Sequence, residues 1–471
     1  MKNSNLLVDA QQRLLTILKE YMPVLAIVQI VHERGGRALL VGGAVRDLLL
    51  GLPLKDLDIE IYGLTVDELE VVLRQFGPVR LVGKVYGVLC LDGLAVDWSL
   101  PRSDSAGRKP QVTVDPHMQL EQAFRRRDLT INAMGVDLIT YELIDPFNGQ
   151  DDLMHNVLRS PDAQTFAEDP LRFFRIMQFI GRFGMTPDST LQEICKTISL
   201  EGVSRERIAG EFEKLLLLSQ RPSLGIRWLR DVGRLHEVLP ELAATSGVQQ
   251  NPAWHPEGDV FEHTMQTIDA AARFTYKGSD EKLLLVLTAL CHDLGKPAVT
   301  KLVDGIWRSR GHEEEGIEPA RSFLKRITLK KELIDNVLVL VRHHRAPGVF
   351  VKEGAKPAAY KRLARALAPL SIELLARLTL ADKQGRNNLS HEPLTKTFED
   401  LDEFMRRARA AGVDQQPEKP LLVGADLAPY VEPGPRMGEL LKKAYQLQLE
   451  EGITDKAELL KKIIKDNANS I

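Results

Sequence analysis

The chain has few cysteines, no long apolar run and almost no net charge, and each shortage removes a class of function. Its three cysteines, Cys90, Cys195 and Cys291, are odd in number and far apart and form no CxxC pair. That excludes a zinc ribbon or a disulfide framework and fits a reducing cytoplasm. No run is long enough to span a membrane, so a cytoplasmic protein with no membrane partner is expected. The N-terminal MKNSNLLVDAQQRLLTILKEYM breaks its apolar positions at helical spacing, which predicts an amphipathic helix and not a signal peptide. A net charge of -3 excludes a polycation, so any nucleic acid must be held by local basic patches. A Walker A loop is missing too: the superficial match at Gly295-Lys296-Pro297 has Leu290 where the first glycine belongs and Pro297 in place of Ser or Thr. There is no internal repeat, heptad array or low-complexity tract.

What is present suits a globular protein of several domains. The 44% hydrophobic and 27% charged residues are enough to build cores, and 471 residues predict about three domains at roughly 150 residues each. Strand-like runs cluster early, at 37–43, 57–63, 79–84, 86–93, 94–100 and 139–145. Helical periodicity dominates afterwards, as in LRFFRIMQFIGRFG, KLLLVLTALCHDLG, ELIDNVLVLVRHH and IELLARLTLADKQG. The expected fold class is α+β, a small head with a mixed sheet followed by an all-α body. Its expected divisions are 1–150, 151–235, 236–400 and 401–471, with QQPEKPLLVG (415–424) as a linker before the helical tail. Seven of the eleven histidines fall between His236 and His344, which marks a second region of interest.

The stretch GGAVRDLLLGLPLKDLDIEIYG (42–63) ends in three carboxylates, Asp56, Asp58 and Glu60, alternating with Leu57, Ile59 and Ile61. On a strand those carboxylates share one face, and like charges there are costly unless they meet water or a cation. A solvated edge strand is one reading. The other follows from the strand, glycine turn and helix start at Gly42 and Gly43, which can bring backbone close to a phosphate.

The order of GG, helix and D-x-D resembles the nucleotidyltransferase superfamily that includes DNA polymerase beta, and specifically its tRNA nucleotidyltransferase (CCA-adding) and poly(A) polymerase branch. RRRDLTINAMGVD (125–137), DPFNGQDDL (145–153) and AEDPLRFFRIMQFIGRFG (167–184) continue the resemblance, which runs over nearly all of residues 38–215. It implies a polymerase-beta-like head and selects Asp56 and Asp58 as Mg²⁺ ligands, with Asp97 in AVDWSLPR as the candidate third carboxylate. Two ions held by such a set would activate an RNA 3′-hydroxyl and hold the triphosphate. Glu60 is left to face water or a basic neighbour. The resemblance also places Gly42, Gly43, Arg46, Arg127, Asp128, Asn132 and Arg175 around the nucleotide, although the arginine run also reads as a solvated basic face.

EDPLR has an ordinary structural reading, with Asp169 as a helix N-cap, Pro170 at the first helical position and a Glu168–Arg172 pair four apart. It also sets Asp169 and Arg172 on adjacent turns. An acceptor beside a donor matches the amino group and bare ring nitrogen that cytosine and adenine present, whereas uracil and guanine present the reverse. The resemblance assigns that base choice to this pair, with tRNA, CTP and ATP as the implied partners and no obligate protein partner evident.

In the histidine-rich region, FEHTMQTIDAA carries His263, TALCHDLGKP carries His292 and Asp293, and LTLADKQGR carries Asp382. This set resembles the HD metal-dependent phosphohydrolases. It implies a Mn²⁺, Ni²⁺, Co²⁺ or Zn²⁺ centre, with His312 and either His343 or His344 as candidates for a second ion, and phosphatase or 2′,3′-cyclic phosphodiesterase chemistry. The rivals that stay open are a poly(A) polymerase, a CC-only or A-only enzyme, a phosphohydrolase with a silent head, and an RNA-binding regulator. The substantial segment at 103–124 favours CCA or A addition over CC addition.

Overall fold

In the computed structural model, residues 2–54, 57–82, 87–104 and 112–466 are described. The chain forms two compact units, Met1–Glu211 and Phe212–Ile471. Among the described residues, no single helix is long and apolar enough to cross a membrane.

The first unit is built on a mixed sheet. Its strands are β1 (Arg37–Val41), β2 (Leu57–Tyr62), β3 (Val79–Val82), β4 (Val88–Leu91) and β5 (Val96–Ser99). A hairpin of β6 (Arg102–Asp104) and β7 (Val112–Val114) follows, and β8 (Gly135–Asp137) and β9 (Leu143–Ile144) complete the set. The sheet order is β3-β4-β5-β2-β1-β8-β9, with β6 and β7 paired apart from it. The carboxylate strand β2 is therefore central, parallel to β5 and antiparallel to β1, and the edge-strand reading falls. Its alternation explains the placement: Leu57, Ile59 and Ile61 are at most 1% exposed and fill one face. On the other face, Leu39, Val41 and Tyr62 pack with Met118, Ala123, Phe124 and Ala133.

Five of the six expected strands form within two residues of the runs that signal them, whereas the run at 139–145 yields only the two-residue β9 at Leu143–Ile144. β8 was hidden, because GVD is too short to alternate and becomes a strand by pairing with β1. The N-terminal helix Lys2–Glu20 is formed, and its Leu14 and Leu18 are fully buried.

The helix Leu171–Phe183 presents Phe173, Ile176, Met177 and Ile180 to the interior and stops at Gly184, whose φ of 68° provides a left-handed cap. In the second unit, Val260–Ala272 packs against both Ser279–Cys291 and Ile372–Gln384, the three helices that carry or directly precede the expected HD residues. Residues 415–424 do not form a free linker. Tyr445 Oη donates to the Glu418 carbonyl, and Gln448 Nε2 donates to the Lys419 carbonyl at 2.9 Å. These bonds strap the segment to the helix Pro435–Glu451, whose apolar side closes a small core of Leu422, Leu427, Leu440 and Ile463.

Candidate functional site

In the first unit, Asp56 lies outside the described residues, so the structure speaks for Asp58 and Asp97. Both are exposed and stand side by side in the register of the parallel strands β2 and β5. Two carboxylates in such a position repel each other, and a shared cation removes the repulsion, so the pair fits a divalent metal. Cys90, opposite Asp97 on β4, donates its thiol to Asp97 Oδ1 at 3.1 Å. Burial, reinforced by Asp97, pushes that thiol up to about 11, so it stays protonated and remains a donor.

The glycine turn meets this face. Gly42 has φ 74°, and a Cβ built there would stand 2.8 Å from Arg127 Nη1 and 3.9 Å from Asp58 Oδ2. Only a bare backbone allows arginine, aspartate and turn to converge so closely. The Gly42 N–H is occupied by the Met134 carbonyl at 3.2 Å, so any phosphate donors at this turn begin after it. A Cβ on Gly43 would lie 3.3 Å from Arg46 Nη2. Asp58, Glu60, Asp97, Arg102, Arg126 and Arg127 line a cavity of about 180 Å³ at this point.

Of the two expectations for Glu60, the basic neighbour holds and water does not. Glu60 is 2% exposed. Its carboxylate accepts from Tyr62 Oη at 2.5 Å and from Arg127 Nη2 at 3.4 Å, with Arg126 at 3.9 Å. The basic neighbour was expected, but burial depends on the Leu120–Arg125 helix covering this face, which no local pattern announces.

Asp128 and Asn132 sit at the centre of a buried network. Asp128 accepts from Arg175 Nε at 2.5 Å and from Asn132 Nδ2 at 2.9 Å. Asn132 Oδ1 in turn accepts from Arg46 Nη1 at 2.6 Å, and the Arg46 guanidinium lies 5.2 and 5.0 Å from the rings of Phe179 and Phe183. Burial alone would raise the Asp128 carboxyl, but Arg175 and Asn132 overcome it and hold it down to about 2.

The base-choosing candidates are close in sequence but are not paired with each other. Pro170 takes the N-cap position, and Asp169 Oδ1 accepts from the Leu171 N–H at 3.1 Å. Asp169 Oδ2 binds Arg207 Nη2 at 2.8 Å. Arg172 donates to the carbonyls of Thr165, at 2.8 Å, and Arg126, at 2.5 Å. Glu168 ends the preceding helix, Ala163–Glu168, so the expected same-helix pair with Arg172 does not form. Arg207 was missed; its only signal was the basic pair in VSRER. Two further arginines of this region also face acids, Arg159 meeting Asp188 at 2.9 Å and Arg182 meeting Asp47 at 3.6 Å.

The second unit gathers His263, His292, Asp293 and Asp382. His292 Nε2 lies 3.3 Å from His263 Nε2 and 3.2 Å from Asp293 Oδ2, and His263 Nε2 lies 3.0 Å from Asp382 Oδ1. Of the further candidates, His312 and His344 join, their Nε2 atoms 3.1 Å apart, and Asp293 Oδ1 reaches His312 at 3.2 Å. His343 is not part of either group. The outer ring nitrogens explain the orientation. Nδ1 of His292, His312 and His344 faces the carbonyls of Ala289, Ser309 and Val341 at 2.6 to 2.7 Å, while Nδ1 of His263 faces Glu257. Donating outward, the imidazoles of His292, His312 and His344 turn their Nε2 lone pairs inward, and facing lone pairs repel unless a proton or a cation lies between them.

His263, His292 and Asp382 form one potential cation group, and Asp293, His312 and His344 form another. Burial, then His312 and His292, push His344 down to about 3, so it is a neutral imidazole as a ligand must be. At His263 burial opposes the charge, yet Asp382 and Glu257 raise it to about 9; without metal, this imidazolium balances the acids. His255 and Glu257, which complete a third group with His263, were missed although HPE stands just ahead of FEH in the sequence. Lys296 and Arg386 also contact the cluster, at Asp293 and Asp382 respectively.

Known families match three successive stretches of the chain. Residues 38–159 match the family described as Poly A polymerase head domain, residues 184–245 that described as Probable RNA and SrmB-binding site of polymerase A, and residues 260–378 the HD domain. The Multifunctional CCA protein of Laribacter hongkongensis is 36% identical over 313 residues, covering 65% of this chain and 74% of that protein. The protein of the same name from Burkholderia pseudomallei is 33% identical over 387 residues, covering 79% of this chain and 90% of its own. The chain belongs to the multifunctional CCA protein family. It is thus a nucleotidyltransferase with an attached HD domain, and both domain types are metal-dependent.

Solved structures agree on the fold. The Bacillus stearothermophilus CCA-adding enzyme in complex with CTP has a TM-score of 0.63 at 20% identity, covering 95% of this chain and 98% of that one. The Thermotoga maritima CCA-adding enzyme complexed with tRNA has a TM-score of 0.59 at 20% identity, covering 98% of each chain.

Two predictions follow from the geometry. Because the Asp128 carboxyl is depressed to about 2, its contribution to stability is complete above the unfolded value of about 3.9 and is lost as pH falls through about 2. Asp128→Asn should cost on the order of 2 kcal/mol at neutral pH and lack that acid-sensitive step. Denaturant unfolding of both proteins between pH 7 and pH 2 measures it, and parallel curves would contradict the assignment. In Gly295→Ala, the new Cβ would stand 2.1 Å from the His312 carbonyl oxygen and 2.5 Å from the Gly316 nitrogen. The displaced turn should cost about 1–3 kcal/mol and weaken divalent-metal binding, read by thermal melting and metal titration.

Proposed function

We propose that this protein adds C and A residues to the 3′ end of tRNA from CTP and ATP without a nucleic-acid template, releasing pyrophosphate. The single observation that carries this reading is the side-by-side placement of Asp58 and Asp97 on neighbouring strands, facing the Gly42 turn, in a chain of the multifunctional CCA protein family. Asp56, Asp58 and Asp97 would hold divalent cations, in our reading Mg²⁺, which when bound activate the tRNA 3′-hydroxyl and offset the charge of the triphosphate.

The remaining roles belong to the chain itself. Gly42, Gly43 and Arg127 let the phosphates lie against the turn, and Glu60 with Tyr62 fixes Arg127 there. Asp128 and Asn132 border the ribose while they hold Arg46 and Arg175. Arg172 and Asp169 present the base edge. Both are already bonded, yet a guanidinium has five N–H donors and a carboxylate about four acceptor sites, so capacity remains for a base. Glu168 stands beside them. The finer division into head (1–150), neck (151–235), HD domain (236–400) and tail (401–471) is part of the same proposal, with the tail as a tRNA-binding candidate. Three cysteines that form no disulfide support a cytoplasmic location.

For the second unit we read a metal-dependent phosphoester hydrolase acting on RNA ends, either a phosphatase or a 2′,3′-cyclic phosphodiesterase. Mixed imidazole and carboxylate donors suit Mn²⁺, Ni²⁺, Co²⁺ or Zn²⁺. His263, His292, Asp293 and Asp382, with His312 and His344, would hold the ions and so supply an activated water.

The test uses tRNAs ending before the first C, the second C and the terminal A, each offered single nucleotides. C should be added to the first two and A to the third, and Asp58→Ala should remove at least about a thousandfold of the rate. Incorporation of neither C nor A on any of them would defeat the reading, whereas unlimited A addition to any RNA would favour a poly(A) polymerase. A His292→Ala, Asp293→Ala double variant should lose metal-stimulated phosphohydrolysis and keep nucleotide addition.

A further inference from the structure

Beside the histidine cluster of the second unit lies a cavity of about 530 Å³, within the usual size range of small-molecule sites. Lys296, His312 and Arg386 belong both to its wall and to the cluster. Its other charged lining residues are Arg308, Arg310 and Arg345, and no carboxylate lines it. The Arg308 Nε is buried with no hydrogen-bond partner among the described residues. An all-cationic wall with an unmet donor is built for an anion.

The aromatic lining adds a second requirement. Of the four tryptophans, Trp98 and Trp228 are buried, at 0% and 6% exposure, whereas the other two, Trp254 and Trp307, both line this cavity. Trp254 is 67% exposed, and Trp307 is half-buried on the hairpin formed by Lys301–Val303 and Ile306–Arg308. A small phosphate ester would use the cations and leave the indoles without a role. A nucleoside phosphate uses both, because base faces stack on aromatic rings while cations hold the phosphate.

We propose that Trp254 and Trp307 form a base-stacking subsite that holds the terminal nucleoside of an RNA end, its phosphate turned towards Lys296, Arg386 and the histidine cluster. The subsite rests on the hydrolytic reading of that cluster. It reads the face of the base, because indoles stack on purines and pyrimidines alike, while the lining amides hold the protein itself: Gln250 accepts from Lys296 Nζ at 2.7 Å and donates to the Gly258 carbonyl at 3.3 Å, and Asn251 Oδ1 accepts from the Ala253 N–H at 3.0 Å. Purine and pyrimidine ends are therefore both accepted, in contrast to the choice expected of Asp169 and Arg172.

The full chain labelled with 5-fluorotryptophan tests this by ¹⁹F NMR, with resonances assigned from single Trp→Phe variants and metal removed by EDTA. Titration with 3′-AMP or 3′-UMP should shift the Trp254 and Trp307 resonances saturably, and inorganic phosphate should leave them in place. With metal restored, a Trp254→Ala, Trp307→Ala double variant should lose roughly tenfold in kcat/KM for 3′-AMP or adenosine 2′,3′-cyclic phosphate while keeping its rate on p-nitrophenyl phosphate. Resonances unmoved by either nucleotide, or an equal loss on both substrate types, would overturn the subsite. Shifting resonances in a wild-type protein that hydrolyses nothing would refute the hydrolytic reading and leave the subsite standing.

Discussion

The buried carboxylate of Asp128 is the interaction on which the first unit depends. It grips Arg175 from the helix Leu171–Phe183 and Asn132 from its own turn, and through Asn132 it reaches Arg46 in the helix that follows the glycine turn. Arg46 in turn rests on Phe179 and Phe183, which closes the loop back to the Leu171–Phe183 helix. Removing one member leaves its partners desolvated and unpaired, so the network behaves as a unit. It ties the helix after the glycine turn to the Leu171–Phe183 helix, and so holds the groups proposed for the phosphate end and the base-choosing end of a nucleotide in fixed relation.

Local patterns made much of this legible. Alternation found the strands of the sheet other than the short β8, and the D-x-D run and the glycine pair pointed to residues that the fold brings together, Asp58 facing the Gly42 turn. Partner choice across long sequence separations was not legible. Glu60 looked like a bystander because its alternation is the same whether water or the Leu120–Arg125 helix covers it. Arg172 looked like a partner for Glu168 until a helix break at Pro170 sent its guanidinium to the carbonyls of Thr165 and Arg126. The proline-containing 415–424 segment reads as a linker by composition, yet Tyr445 and Gln448 hold it down.

The second unit follows the same logic with different donors. Four imidazoles are oriented from behind, three by backbone carbonyls and one by Glu257, so that their inner nitrogens converge. Their HD spacing was visible in the sequence because His263 and Asp382 sit on helices and His292 and Asp293 directly follow one. The outer residues His255 and Glu257 were not found, since a loop carries no periodicity to point with. On the proposed reading, the two sites would handle the same kind of molecule by opposite rules, one choosing among bases and the other indifferent to them.

The account's central claim is that the protein itself supplies the edge against which the incoming base is chosen. Its most direct test is the ratio of C to U incorporation on a tRNA ending before the first C, in wild type and in Arg172→Ala, at matched extents of reaction. The account predicts a ratio that falls at least about tenfold in the variant, because the donor that rejects the reversed edge is gone. A ratio that stays the same while the overall rate drops would contradict it.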